Sequence, residues 1–276
     1  MRKIMYQSLT RFDRWQGYNK ELAGMLDRAK QPDTEIAIRC IETRGGIGDQ
    51  FHYLESIEAQ EVLRNAQRAE EEGFDAFVIG NIGDPGLREA RELVKIPVFG
   101  LCETSTHLAS MMGRNFSLVT GNEKHLTRIE DNIRRYGLQG NLHSGRTISL
   151  ERLVDLEDAY HDEQARERLI SEFCAQAEVA ARDGAEVIIP GIGVMMVLLA
   201  SRGVHAIRNG SVPIINGSLC LLKFAEAAID MRRAMGGHWT SRRALYAMPT
   251  PRQILELRDA YGDVYQSVQP EESSNA

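Results

Sequence analysis

Laid one over the other, GFDAFVIGN (residues 73–81) and GAEVIIPGI (residues 184–192) decide the fold. Each opens on a glycine that ends an amphipathic helical pattern, runs through a short apolar stretch and closes on a second glycine. Gly73 aligns with Gly184, Gly80 with Gly191 and Asn81 with Ile192. An apolar run without alternation fits a parallel strand covered on both faces.

Outward from these runs the same grammar continues in order. After the first come a helix in LREARELV (87–94) and a strand in IPVFGL (96–101); after the second, a helix through MMVLLAS (195–201) and a strand in VPIING (212–217). Upstream, the first half reads as a strand from Lys3 to Leu9, a helix from Gln16 to Lys30, a strand in IAIRCIE (36–42) and a helix from Ser56 to Glu72. The second half reads as a strand in FSLVTGN (116–122), a helix from Glu123 to Tyr136, a weaker strand in RTISL (146–150) and a helix from Asp162 to Arg182. This is an internal repeat of about 110 residues. The fold class that follows is α/β: two pseudo-symmetric, flavodoxin-like three-layer α/β/α halves with parallel sheets and a small-molecule site in the cleft between them. The first half takes residues 1–113 and about 217–235, the second 114–216, and residues 236–276 form a C-terminal extension with a disordered polar tail.

Composition narrows the function classes. A formal charge of −6 with mixed signs along the chain offers no basic field for nucleic acid or an anionic membrane. No stretch has the length of a membrane span, and the opening MRKIMYQSLT lacks a signal-peptide pattern, so a cytoplasmic protein is expected. Cys40, Cys102, Cys174 and Cys220 stand singly, with neither disulfide nor zinc spacing. His125, His143, His161, His205 and His238 have no metal-type spacing either and read as structural or exposed.

The stretch GFDAFVIGNIGDPGLREARELVKIPVFGLCETSTHLAS, together with SLVTG, GAEVIIPGIG and VPIINGSLCLLKFAEAA, resembles the aspartate/glutamate/hydantoin racemase superfamily, the hydantoin-racemase branch above all. The resemblance covers roughly residues 1–235. It implies two facing α/β halves, no cofactor, a small-molecule substrate and association into homo-oligomers. It also implies a pair of cysteines, one per half, that take a proton from one face of a carbon acid and return one to the other. Those positions hold Asn81 and Ile192 here. An amide has no useful basicity near neutrality and an isoleucine has no proton to exchange, so the two-thiol mechanism does not carry over. Family members with one cysteine, such as arylmalonate decarboxylase, extend the implied chemistry to lyases.

Candidates for what remains gather at the predicted strand ends. Glu103 is the first choice for acid or base, the other reading being a charge at the start of the helix in TSTHLASMM. Cys102 is a relocated nucleophile or a small buried hydrophobe, and His107 either orients Glu103 or faces solvent. His52 and Tyr53, in the loop TRGGIGDQFHYLE, suit a lid over the site. Gln7, Ser8 and Thr10 after the first strand, Thr120, Gly121 and Asn122 after the fifth, and Asn81, Ile192, Gly193 and Asn216 are expected to bind a carbonyl-rich ligand, a cyclic ureide or small carboxylate, with turn-forming roles as the alternative. Asp84 is expected to cap the helix that follows Pro85. Three functions are compatible with this set. One is a divergent isomerase or racemase, or a lyase, working without paired thiols; another is a hydrolase with water held by Asn81 and Glu103; the third is a binding protein that has lost catalysis.

Overall fold

The computed structural model describes residues 1–48, 51–150 and 152–265. The two deciding runs become β3 and β7, four residues each and buried throughout. In the first half, β1 (Arg2–Gln7), α1 (Gln16–Ala29), β2 (Thr34–Arg39), α2 (His52–Glu71), β3 (Ala76–Ile79), α3 (Leu87–Leu93), β4 (Val98–Gly100) and α4 (Leu101–Met112) alternate strand and helix. The second half follows with β5 (Phe116–Thr120), α5 (Glu123–Arg135), β6 (Leu142–Thr147), α6 (Asp158–His161), α7 (Glu163–Arg182), β7 (Val187–Pro190) and α8 (Gly193–Ser201). A short hairpin of β8 (Ala206–Ile207) and β9 (Val212–Pro213) leads into α9 (Gly217–Ala234), and α10 (Pro251–Tyr261) lies beyond.

Both sheets are parallel, with orders β2-β1-β3-β4 and β6-β5-β7, so β1 corresponds to β5 and β3 to β7. The paired glycines show why the repeat needs them. A Cβ on Gly80 would fall 2.4 Å from the Tyr6 ring on β1, and one on Gly191 would fall 2.6 Å from Thr120 Cβ on β5. Gly73 and Gly184, with φ of 77° and 120°, turn the chain out of α2 and α7 into these strands.

Strand alternation sorts the first sheet into two faces. Met5, Phe77, Ile79 and Val98 pack with Val62, Ala66 and Ala69 of α2 and Leu87 and Ala90 of α3. Ile4, Tyr6, Ala76 and Val78 face Tyr18, Leu22 and Leu26 of α1, in a core continuous with Phe116, Leu118, Val187 and Ile189 of the second half. Between the sheets, α1 contacts α8, α4 contacts β7, and α9 contacts α1, α4 and α8.

Three expectations change. The strand placed in RTISL begins earlier, at Leu142, because Ser144 to Thr147 pair with Ser117 to Thr120. VPIING supplies only one parallel bridge to the sheet, Ile214 with Ile188; its first two residues pair antiparallel with Ala206–Ile207. Asp84 does not cap α3, whose N-cap is Gly86 at φ 71°. It caps α4 instead, its two oxygens accepting from Cys102 N at 2.9 Å and Glu103 N at 2.8 Å.

The segment after α9 returns to the first half. The Trp239 ring meets Phe99 edge-on, and Arg242 donates to the carbonyls of Arg91, Glu92 and Val94 at the end of α3. The expected disordered tail, QPEESSNA, lies outside the described residues. Among those described, no helix is long and apolar enough to cross a membrane, and no group of three or more His, Cys, Asp or Glu is placed to hold a metal ion.

Candidate active site

The strand ends of the two halves meet at one cleft. Leu9 and Thr10 follow β1, Gly80, Asn81 and Ile82 follow β3, and Ile192, Gly193 and Val194 open α8 from the other side. Trp15, Tyr18 and Leu153 complete the apolar wall. The approach is close: a Cβ on Gly193 would sit 3.4 Å from the Gly80 carbonyl oxygen. The enclosed volume is about 50 Å³, well below the several hundred typical of ligand pockets.

Four polar side chains give this cleft its chemistry. Asn81 accepts from Gly83 N through Oδ1 at 2.7 Å, which leaves its N–H₂ end for a ligand. Glu58 reaches in from α2 and is the carboxylate among the described cleft-lining residues. It is 6% exposed and accepts from Gly46 N at 2.5 Å. The loop can fold over it because Gly45, at φ 96°, has no Cβ, an atom that would land 2.2 Å from Glu58 Oε1.

His125 and Arg128 come from α5 in the second half, one turn apart on one face. Asn122 caps that helix by accepting from His125 N at 3.0 Å, fixing the first turn. His125 Nδ1 lies 2.8 Å from Thr120 Oγ1, which in turn donates to the Gly191 carbonyl at 3.3 Å. That chain of donors puts the imidazole proton on Nδ1 and the lone pair on Nε2. Burial, with the Arg128 charge as a second cause, pushes His125 down to about 3, so the ring is neutral. Arg128 Nη1 lies 2.9 Å from Glu55 Oε2 of α2, an ion pair joining the halves.

Residues 20–225 match the model of the family described as Asp/Glu/Hydantoin racemase. The chain belongs to that family. It is 31% identical over 234 residues to a hydantoin racemase of Pseudomonas sp. (strain NS671), covering 85% of this chain and 88% of that one. A hydantoin racemase of Rhizobium meliloti is 34% identical over 196 residues, 71% of this chain and 75% of the relative. Among solved structures, allantoin racemase from Klebsiella pneumoniae superposes with a TM-score of 0.73 at 28% identity, over 90% of this chain and 94% of that one.

Within this racemase-family cleft, the residues singled out by sequence fall into two groups. Asn81, Ile192, Gly193 and Thr10 line it. Gly121 stands behind its wall, where a Cβ would be 3.5 Å from Ile192 Cδ1, and Thr120 reaches it only through His125. The other residues are placed elsewhere. Glu103 lies outside the cleft lining, its carboxylate bound by Arg91 of α3, with Arg91 Nη1 to Oε1 at 2.9 Å. Burial alone would lower Arg91, but the hydrogen bond and charge of Glu103 outweigh it and hold the guanidinium above its ordinary value. Cys102 is fully buried on the same turn, and burial pushes its thiol well up, away from the thiolate that a nucleophile needs. No cysteine is among the described residues lining the cleft. His107 is exposed and touches the Glu103 backbone carbonyl, 2.8 Å from Nδ1, rather than the carboxylate.

Gln7 and Ser8 are fully buried in hydrogen bonds to Asn65 and Thr10. Asn122 and Asn216 serve as N-caps, of α5 and α9. His52 and Tyr53 form the first turn of α2 instead of a loop; both are exposed, and His52 lines an outer groove next to the cleft. Asp49 and Gln50 of that predicted lid are outside the described residues.

Glu58, His125 and Arg128 were not predicted as site residues. Glu58 sits in a glutamate-rich helix and looks solvated. Its signal was spacing: Glu55, Glu58 and Glu61 recur every three residues on the face that also carries Val62 and Asn65, and all three are buried.

Proposed function

We propose that this chain acts on a small carbonyl compound, a cyclic ureide, amino acid or dicarboxylate, by proton transfer that uses no cysteine pair, as an isomerase or racemase. The observation that carries the reading is the presence of Glu58 from the first half and His125 from the second on one cleft, at the level of Asn81 and Ile192. Glu58 is the group suited to take the proton from one face, and the proton that returns to the other face of the planar enolate comes from solvent water. Asn81 Nδ2–H suits the carbonyl oxygen, where negative charge grows as the proton leaves. His125, neutral with Nε2 as acceptor, suits a ligand N–H. One carboxylate base with one amide donor is a minimal arrangement for enolisation, and lyase chemistry on the same scaffold would use the same two groups.

Solvent deuterium tests this directly. Incubation of hydantoins and amino acids in D₂O is expected to give exchange at the carbon next to the carbonyl, and Glu58→Gln, which still accepts from Gly46 N–H, is expected to reduce it by about 10²–10⁴-fold. Exchange that survives intact in Glu58→Gln removes the assignment. A second reading, a binding protein without turnover, is favoured by the volume of about 50 Å³ and by the apolar Ile192; binding with no exchange in any compound supports it. Cytoplasmic location and homo-oligomer formation belong to the same proposal, the latter checked by sedimentation.

A further inference from the structure

Arg128 stands between the cleft and a much larger groove. An outer groove of about 550 Å³ runs between the start of α2, residues 83–89 and α5, and Arg128 belongs to the walls of both. Its side chain is only 14% exposed. Among the described residues it makes the one ion pair to Glu55 and no hydrogen bond; Nε and Nη1 are buried without an aligned acceptor, and Glu55 Oε1 is buried without a donor. A guanidinium has five N–H donors in a planar fork that fits a carboxylate. Burying it with a single misaligned contact is unfavourable, and an oxyanion ligand is what completes it. On the groove side, Arg88 and Arg135 form no ion pair among the described residues, whereas Asp131 is paired with Arg134 at 2.6 Å.

Resting on the cleft as the ligand site, we infer that Arg128 is its specificity-determining residue and that the ligand is a small carboxylate, with the acid group on the Arg128 fork and the carbonyl-bearing carbon at Asn81. The groove supplies the room that the cleft lacks. Glu55 is the counter-ion that an incoming carboxylate displaces from Arg128, so removing its charge strengthens anion binding.

Calorimetric titration of the full chain with hydantoin-5-acetic acid and its neutral analogue hydantoin-5-acetamide tests this. Wild type is expected to prefer the acid by about tenfold to a hundredfold, the range of a charge-assisted pair. Arg128→Gln is expected to lose that preference, its affinity for the acid falling more than its affinity for the amide; Arg128→Lys keeps part of it. Glu55→Gln is expected to raise it, a sign that a merely structural ion pair does not give, since both removals would then weaken the fold and leave the ratio unchanged. Equal affinity of wild type for acid and amide, no binding of the acid at millimolar concentration, or an unchanged ratio in Arg128→Gln overturns the inference. Deuterium exchange read on the same samples separates the two proposals: preference without exchange retains Arg128 and removes proton transfer, and exchange without preference does the reverse.

Discussion

Asp84 shows how much one side chain can hold. At φ 49° it leaves the path of a helix start, a conformation that Asp tolerates better than most residues, and reaches the N-terminus of α4. Three groups donate to it: Cys102 N–H, Glu103 N–H and the Tyr136 hydroxyl, the last at 2.6 Å. Burial is the larger influence and pushes its carboxyl up to about 7, against an ordinary 3.8. Between those values the folded state binds a proton that the unfolded state has released, so this group makes stability fall as pH rises from about 4 to 7. His125 acts in the opposite sense: buried and neutral down to about 3, it makes stability fall as pH drops from about 6.5 to 3. At about 1.4 kcal/mol per unit, each contributes up to roughly 4–5 kcal/mol across its window. Urea unfolding from pH 3.5 to 8 resolves the two. Asp84→Asn, which keeps one acceptor oxygen, is expected to flatten the decline toward neutral pH, and His125→Asn the decline toward acid. Wild-type-like slopes in both variants would show that neither group titrates in the fold.

At the scale of elements, what was legible followed from local pattern, and what was not depended on partners far along the chain. The termini of α1, α3, α5 and α7 fall within two residues of those predicted because their apolar periodicity and flanking breakers are local signals. The Asp84 cap could not be seen this way, since its partner helix starts seventeen residues later and Pro85 points to the nearer one. The C-terminal segment was equally undecided: Arg242 finds its acceptors about 150 positions upstream, at the end of α3. Helix ends leave carbonyls without partners, and here one guanidinium serves three of them. Arg242→Met, which keeps the aliphatic stem, is therefore expected to lower unfolding free energy by about 1–3 kcal/mol and to speed amide exchange in α3 more than in α7. Equal protection of α3 in variant and wild type would mean that the segment only rests on the surface.

For the molecule as a whole, the repeat located the cleft, because Gly80 and Gly191 mark equivalent strand ends and topology brings such ends together. Asn81, Ile192 and Gly193 were thus readable from local sequence. Glu58 and Arg128 were not, since each lies on a helix whose polar positions look solvated until the other half covers them. The same geometry makes a strong demand. If Asn81 and Ile192 face one ligand carbon from two sides, placing a thiol at each should create the two-sided proton exchange that the family resemblance implies. Ile192→Cys also enlarges the cleft, at a stability cost of about 1–2 kcal/mol for shortening a buried side chain. Arg128 in the same wall favours the thiolate form. Asn81→Cys/Ile192→Cys is expected to exchange deuterium into C5 of a hydantoin at least about tenfold faster than either single variant, since general acid–base groups contribute about 10²–10⁴ when correctly placed. A double variant no faster than the singles would show that the two strand ends do not bracket one carbon, and the placement of the site between the halves would fall with it.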